Sequence, residues 1–240
     1  MIEFRDVRKV YPDGHVALRG LSLQVESATT VALLGPSGCG KTTTLKLINR
    51  LLVPTSGTVC VDGRDVAALD AIRLRRGIGY VVQDAGLFPH LTAQENAEVV
   101  PRLLGWAPPR RQARTRELFA LLGLDGDALA ARYPSQLSGG QRQRVGLARA
   151  LAADPPVVLM DEPFGALDPL TRRRLQREFL ALQARLHKTV VLVTHDVEEA
   201  FLLADRVAVL ADGALVQFAT PDEIRAAPAS EFVASFVGVG

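Results

Sequence analysis

The sequence has little of several features that would identify particular classes of protein. Only two of its 240 residues are cysteine, Cys39 and Cys60, which is too few for a disulfide framework or a zinc-binding pattern. No apolar run approaches the roughly 20 residues that are needed to span a bilayer. The first residues are charged where a signal peptide has its apolar core. We therefore expect a globular protein that stays in the cytoplasm.

The chain also lacks a strong excess of charge of either sign. It carries 28 basic and 26 acidic residues, for a formal net charge of +2. Proteins that bind nucleic acid mainly by charge are strongly basic, so this balance disfavours nucleic acid as a partner. One arginine cluster, formed by Arg172, Arg173, Arg174 and Arg177, could contact nucleic acid, but a solvated helix face is the simpler interpretation.

The order of the apolar patterns predicts an α/β fold. Alternation over residues 2–4 and 17–25 predicts an antiparallel β start, and helical spacing dominates between residues 92 and 153. Further predicted strands are residues 31–34, 58–61, 78–82, 157–160, 190–193, 206–210 and 214–218, and further predicted helices are residues 42–52, 170–187 and 196–204. Because strands and helices alternate after residue 153, we expect a parallel sheet covered by helices.

A glycine-rich segment lies between the predicted strand 31–34 and the predicted helix that follows. It matches the phosphate-binding pattern Gly-x-x-x-x-Gly-Lys-Ser/Thr and reads Gly35-Pro36-Ser37-Gly38-Cys39-Gly40-Lys41-Thr42. Glycines let several backbone N–H groups point at one phosphate, and the helix N-terminus adds positive potential. Lys41 would contact the outer phosphates and Thr42 would place its hydroxyl on Mg²⁺. The alternative is a plain glycine turn that caps a helix.

Two adjacent carboxylates, Asp161 and Glu162, end the predicted strand 157–160. Neighbouring residues at a strand end point to opposite sides, so the two carboxylates can have different roles. Asp161 would bind Mg²⁺, and Glu162 would activate the water that attacks a phosphate. The alternative is that the two carboxylates are simply solvated at the end of a strand. The glycine-rich phosphate-binding pattern elsewhere in the chain disfavours this alternative.

A third motif identifies a family. The pentapeptide Leu137-Ser138-Gly139-Gly140-Gln141 opens a predicted helix, where a hydroxyl and backbone N–H groups can contact phosphate oxygens. With the two motifs above, it makes the sequence resemble the nucleotide-binding subunits of ABC transporters, over essentially the whole chain. The resemblance implies an α/β P-loop NTPase fold of ABC type, with a mixed sheet core, an antiparallel β subdomain and a helical subdomain.

The resemblance also implies how the chain is divided. Residues 1–240 would form a single nucleotide-binding domain. Its RecA-like core and β subdomain would take about residues 1–90 and 155–220, and its helical lobe about residues 91–153. A short helical tail would follow at about residues 221–240.

Further residues receive roles from the resemblance alone. Tyr11 would stack on adenine, Gln83 would be the glutamine of the Q-loop that senses Mg²⁺, and Asp168 would belong to the D-loop. His195 would contact the γ-phosphate and, with Glu162 and Lys41, form the catalytic set. The ATP-binding residues would be Tyr11, Gly35, Pro36, Ser37, Gly38, Cys39, Gly40, Lys41, Thr42, Thr43 and Gln83, and the Mg²⁺ ligands would be Thr42, Gln83 and Asp161. A packing role for Tyr11 and a structural one for His195 are the alternatives.

In this family the signature motif contacts ATP bound to the opposite subunit, so the resemblance implies a dimer that encloses two ATP molecules. It also implies integral membrane permease subunits as partners, an extracytoplasmic substrate-binding protein as an indirect partner, and a peripheral location on the cytoplasmic face of the membrane. No nucleic acid partner is expected. The apolar segment 87–89 would receive a permease helix, or else pack on the helical lobe.

Two stretches, residues 79–90 and 99–106, carry a finer resemblance. Both are similar to the ATP-binding subunits of quaternary-amine importers, which take up glycine betaine, choline, carnitine or related osmoprotectants. An importer for another small solute is the alternative, and a non-transport ABC ATPase acting on nucleic acid is an alternative of another class.

Cys39 lies in the glycine-rich segment near a helix N-terminus. This position predicts a thiol that ionises readily and that blocks the phosphate site when it is oxidised.

Overall fold

The computed structural model describes residues 1–239. The strands within this range are β1 (Ile2–Val10), β2 (Val16–Val25), β3 (Thr30–Leu34), β4 (Ser56–Val61), β5 (Arg64–Asp65), β6 (Ile78–Val81), β7 (Val157–Asp161), β8 (Thr189–Thr194), β9 (Arg206–Ala211) and β10 (Ala214–Ala219). The helices are α1 (Lys41–Ile48), α2 (Ala71–Arg76), α3 (Ala93–Leu103), α4 (Pro108–Leu121), α5 (Gly126–Leu129), α6 (Gly139–Leu151), α7 (Pro169–Leu186), α8 (Val197–Leu203), α9 (Pro221–Ala226) and α10 (Glu231–Val237). The predicted order of strands and helices is confirmed.

The chain forms two compact units. The first contains Met1–Arg75 and the described residues from Lys188 onward, and the second contains Arg76–His187. The division predicted from the sequence, with boundaries near residues 91 and 153, stays a prediction.

An antiparallel sheet in the first unit has the strand order β2-β1-β4-β5. Ile2, Phe4 and Val7 are buried, and the pairing of β1 shifts register between Phe4 and Val7. Asp6 lies in this irregular stretch with a φ of 46°. The bulge explains why strict alternation stops after Phe4, although the strand continues to Val10.

The first unit also contains parallel strands, with β3 between its two partners. β3 pairs in parallel with β8 on one side and with β9 on the other, and β10 pairs antiparallel with β9. All five residues of β3 are buried, as expected for a strand that is covered on both faces. One face carries the C-terminal helices, because Ile224 of α9 and Val233 of α10 pack with Ala32 and Val207 in one apolar cluster. The last residue of the predicted tail, Gly240, lies outside the described residues.

Helix α1 ends earlier than the sequence predicts. The apolar spacing extends the helix to Leu52, but the structure ends it at Ile48. Asn49 caps the helix and accepts a hydrogen bond from the Leu51 N–H through its side chain, and Arg50 adopts a φ of 54°. The prediction was wrong because this local turn ends the helix, and Leu51 beyond it is 47% exposed.

The second unit joins two parallel strands to helices. β6 pairs with β7, and α6 packs on β6 as well as on α3 and α4. Gly79 of β6 allows this close approach, because a Cβ at that position would lie 2.5 Å from the Ala150 carbonyl oxygen of α6. The segment that follows β6 therefore starts directly beside α6.

Candidate nucleotide-binding site

The glycine-rich loop of residues 35–40 connects β3 to α1 in the first unit, as predicted. Gly35 has a φ of 153°, and a Cβ there would lie 2.2 Å from the Leu210 carbonyl oxygen. Gly40 has a φ of 102°, and a Cβ there would lie 2.5 Å from the Ala17 carbonyl oxygen. Both positions therefore require glycine for conformation and for space. The close neighbours of Gly35 and Gly40 therefore determine the shape of the loop.

Lys41 begins α1 and is 6% exposed. Its Nζ donates to the carbonyl oxygens of Gly35 at 2.6 Å and Pro36 at 2.7 Å. The N-cap residue, Gly40, makes no side-chain capping bond, so α1 presents its positive N-terminus within the same loop. A cationic side chain and a helix N-terminus together give a site that suits phosphate.

Cys39 does not match the prediction of an easily ionised thiol. Its side chain is 4% exposed, and burial raises the pKa of the thiol. The nearby Lys41 ammonium, whose Nζ lies 3.8 Å from Sγ, acts in the opposite direction and is the smaller effect. The prediction was wrong because it considered the helix terminus and not the burial of the loop.

Tyr11 lies in the same unit as the phosphate loop. Its hydroxyl is 3.0 Å from the Thr43 hydroxyl of α1, which joins the two segments that the sequence assigns to ATP. The Lys9 ammonium lies 5.6 Å from the ring centroid, and the His15 ring stacks at 6.2 Å between centroids. The contact of Tyr11 with adenine stays a prediction. No sequence pattern had singled out His15.

His195 follows β8 in the first unit and is exposed. The turn after it is fixed, because the Asp196 side chain caps α8 and the Asp196 N–H donates to the Thr194 hydroxyl. Thr194 is itself hydrogen-bonded to the buried Glu199. The strand end and the helix cap thus fix the backbone on both sides of His195, whose contact with a γ-phosphate stays a prediction.

Asp161 and Glu162 lie in the second unit, at the end of β7. Glu162 has a φ of 46°, in the left-handed region, and its Oε2 accepts a hydrogen bond of 3.4 Å from the Gln83 Nε2. Burial raises the pKa of Tyr80 to about 12, with a smaller contribution from the negative charge of Asp161. The structure therefore brings Gln83 and Glu162 together and gives each carboxylate a different surrounding.

The signature segment opens α6, as predicted. The Ser138 side chain accepts from the Gln141 N–H, and the Gln141 side chain accepts from the Ser138 N–H, which forms a capping box. Leu137 and Gly140 are buried, whereas Ser138 and Gly139 are exposed. The N–H groups of Gly139 and Gly140 have no partner within the helix, so the start of α6 can donate them to an anion.

Asp168 caps α7 and accepts from the Thr171 N–H at 3.0 Å, which lowers the pKa of its carboxyl group. The preceding residues line a cavity of about 240 Å³ together with residues of the Q-loop and the signature helix. The lining consists of Gln83, Asp84, Ala85, Gly139, Arg142, Gln143, Ala166 and Leu167. Three predicted motifs of the second unit therefore meet at one cavity. Gln143, which the sequence did not single out, lies among them.

The residues predicted to hold Mg²⁺ have suitable chemistry. The hydroxyl of Thr42, the carboxylate of Asp161 and the amide oxygen of Gln83 are the hard oxygen ligands that Mg²⁺ prefers. Gln83 bonds Glu162 through its nitrogen, so its oxygen keeps the lone pairs that a cation needs. Asp161 is partly exposed at the strand end. The donor set therefore fits the ion.

Among the described residues, no helix is both long and apolar enough to cross a membrane.

Comparisons with known proteins agree with the motifs. The family model described as ABC transporter matches residues 18–165. The chain is 52% identical over 238 residues to the glycine betaine/carnitine/choline transport ATP-binding protein OpuCA of Bacillus subtilis. This match covers 99% of this chain and 62% of that protein. It is 54% identical over 222 residues to the osmoprotectant import ATP-binding protein OsmV of Salmonella typhimurium. That match covers 92% of this chain and 58% of that protein.

The chain thus spans about three fifths of the length of these relatives. Among solved structures, the dimeric post-hydrolysis state of the ATP-binding cassette MJ0796 bound to ADP and Pi matches with a TM-score of 0.82 and 37% identity. The match covers 92% of this chain and 99% of that one. Its likeness confirms the predicted fold class. Since the family model matches more than half of the residues, this chain belongs to the ABC transporter family.

Proposed function

We propose that this chain binds and hydrolyses ATP with Mg²⁺ as the ATP-binding subunit of an ABC importer. The position of Lys41 in the glycine-rich loop supports nucleotide binding, and the adjacent carboxylates Asp161 and Glu162 support hydrolysis. Lys41 would move from the loop carbonyls to the outer phosphates. His195 would contact the γ-phosphate.

Glu162 would accept a proton from the attacking water. Its carboxylate is partly exposed just after the end of β7, so a water molecule can reach it. Thr42, Gln83 and Asp161 would hold Mg²⁺, which supplies positive charge to the phosphates and the leaving group. Gln83 would then turn its amide oxygen to the ion and its nitrogen to Glu162.

We also propose that two copies act together, with the Ser138 segment of each copy contacting the nucleotide of the other. The start of α6 supports this role, because it is exposed and carries the Ser138 hydroxyl that caps the helix. Membrane permease subunits would be the further partners, with an extracytoplasmic binding protein as an indirect one, and the chain would lie on the cytoplasmic face of the membrane. Phe88, which is 42% exposed, supports the interpretation of segment 87–89 as a docking surface.

The proposed substrates of transport are quaternary amines such as glycine betaine, choline or carnitine. The observation that carries this proposal is the identity of 52% over nearly the whole chain to a protein named for transport of these three compounds. The substrate would not touch this subunit. Its identity would be set by the permease and the binding protein.

The test is uptake of labelled glycine betaine, choline and proline by vesicles that contain this chain and the permease that co-purifies with it. ATP-dependent uptake of an amine, lost with Glu162→Gln, would support the proposal. Hydrolysis without uptake of any of the three would point to an importer of another small solute. Hydrolysis stimulated by duplex DNA and not by the permease would favour the nucleic acid alternative.

ATP affinity tests the first step separately. Lys41→Ala removes the cation from the loop, and we expect ATP binding to weaken by at least tenfold, about 1.4 kcal/mol. Lys46→Ala, in the last turn of the same helix, is the matched control. Equal affinities of the two variants would contradict the assignment of the loop.

A further inference from the structure

One face of α6 lies along the segment that follows β6. The face consists of Gln143, Gly146 and Arg149, which are three residues apart in sequence, and we call it the loop-facing stripe. Gln143 lines the cavity shared with Ala85, and a Cβ at Gly146 would lie 3.1 Å from the Ala85 Cβ. The same helix is capped at its N-terminus by Ser138 of the signature segment.

Arg149 makes the strongest contacts of the stripe. Its Nη2 donates to the Ala85 carbonyl oxygen at 2.6 Å, and its Nη1 donates to the Gly86 carbonyl oxygen at 2.7 Å. The guanidinium also lies 5.8 Å from the centroid of the Phe88 ring. The guanidinium is partly removed from water, and this burial lowers the pKa of Arg149. Two charge-assisted hydrogen bonds offset that desolvation.

The two carbonyls held by Arg149 belong to residues with unusual backbone angles. Ala85 has a φ of 58° and Gly86 has a φ of 53°. A non-glycine residue in this region costs on the order of 1 kcal/mol, and such conformations persist where surrounding contacts hold them. The Ala85 N–H bonds the Val82 carbonyl oxygen at 3.0 Å, so the loop is also closed on itself. Arg149 is thus placed to fix the part of the loop that is least stable alone.

We propose that Arg149 is a positioning residue that sets the location of Gln83 through the backbone of Ala85 and Gly86. The signature segment and Arg149 lie on one helix, about 15 Å apart at 1.5 Å per residue, so a shift of the signature helix would move the loop with it. The inference rests on the proposed function, in which Gln83 is a ligand of Mg²⁺.

Three variants of the full chain test this role. Arg149→Met keeps much of the side-chain volume and removes both hydrogen bonds. Arg149→Lys keeps the charge but has no planar fork for two carbonyls. The matched control is Arg114→Met, because Arg114 is also largely buried in the second unit and donates to a backbone carbonyl, that of Leu151.

The first measurement is the Mg²⁺ concentration that gives half-maximal ATP hydrolysis. We expect Arg149→Met to raise it about tenfold, Arg149→Lys to raise it less, and Arg114→Met to leave it unchanged. ATP binding in the presence of EDTA should be the same in all four proteins, since the proposed role of Gln83 acts through Mg²⁺, which EDTA removes. The second measurement is amide hydrogen exchange, in which Arg149→Met should exchange faster at residues 82–88 only.

An unchanged Mg²⁺ response and unchanged exchange in Arg149→Met would overturn the inference. If Arg149→Met does not fold, Gly146→Ala tests the same inference. It adds one methyl group against Ala85, which shifts the loop, and it removes no charge. That variant should raise the Mg²⁺ requirement too, and a wild-type response would overturn the inference. A wild-type chain that does not hydrolyse ATP would instead contradict the proposed function.

Discussion

Two glycine-containing segments open a helix in this chain, and they are built differently. At α1, Gly40 is the N-cap with a φ of 102°, and no side chain caps the helix. At α6, Ser138 is the N-cap, and its reciprocal hydrogen bonds with Gln141 close the helix start. The first helix start is therefore shaped by glycine conformation, and the second by side-chain hydrogen bonds.

The difference extends to charge and space. Lys41 lies inside the first segment with its Nζ bonded to two loop carbonyls, whereas no basic residue occurs from Ser138 to Gln141. A Cβ at Gly35 would meet backbone at 2.2 Å, but a Cβ at Gly139 has no neighbour closer than 3.8 Å. The first segment combines a cation with a helix N-terminus, which suits a phosphate group. The second offers N–H groups without a cation, which fits its proposed contact with a nucleotide held by another copy.

The largest expected effect separates the two segments by stability. Gly35→Ala forces a methyl group into the Leu210 carbonyl, so we expect it to lose more than about 4 kcal/mol of unfolding free energy or to fail to fold. Gly139→Ala is the matched control, because its Cβ would make only ordinary van der Waals contacts at a helix start, and the unfolding free energy should change by less than about 1 kcal/mol. Urea denaturation measures both. Similar losses would show that the second segment is as tightly packed as the first.

The second largest expected effect is on the rate of ATP hydrolysis and not on the unfolding free energy. Glu162→Gln should lower the rate of ATP hydrolysis by about 10²- to 10³-fold, because the amide cannot accept the proton of water. ATP binding should persist, since the phosphate loop is intact. Glu117→Gln, at an exposed carboxylate of α4, is the control for the loss of one negative charge. Undiminished steady-state hydrolysis in Glu162→Gln would remove this residue from its role.

Much of this arrangement was predictable from the sequence, because it depends on local patterns. The all-apolar β3, the glycine loop and the start of α6 follow from residue types over a few positions. The end of α1 did not follow, since the apolar spacing to Leu52 conflicts with a turn at Asn49 and Arg50. Local hydrogen bonds decided that conflict.

Other features depend on contacts between distant parts of the chain. Arg149 resembles any arginine of a helix, and its two carbonyl partners lie 63 and 64 residues away. The burial of Cys39 depends on how the loop packs, so a helix terminus alone could not predict the direction of its pKa shift. The His15 ring beside Tyr11 is likewise a product of how the connection between β1 and β2 folds.

A smaller effect tests the cap of the second segment. Ser138→Ala removes the hydroxyl that accepts the Gln141 N–H, and we expect a loss of about 1 kcal/mol of unfolding free energy. ATP affinity should be unchanged, since the phosphate loop is untouched, while hydrolysis should fall if the segment contacts the nucleotide of a second copy. Ser138→Thr restores a capping hydroxyl and should recover the stability. A loss of affinity equal to that of Lys41→Ala would show that the two segments are not distinct in function.

The smallest expected effect concerns pH and the first segment alone. Burial raises the pKa of Cys39 in the folded chain above the unfolded value of about 8.5. Above that pH the unfolded thiol ionises while the folded thiol keeps its proton, so the unfolding free energy falls as pH rises, by at most about 1.4 kcal/mol per pH unit. Urea denaturation between pH 7 and 9, a range in which the loss stays below about 1 kcal/mol, should show a shallower decline in Cys39→Ala than in the wild type. Equal slopes would mean that the loop lets water reach Sγ, and that this segment is as open as the signature helix start.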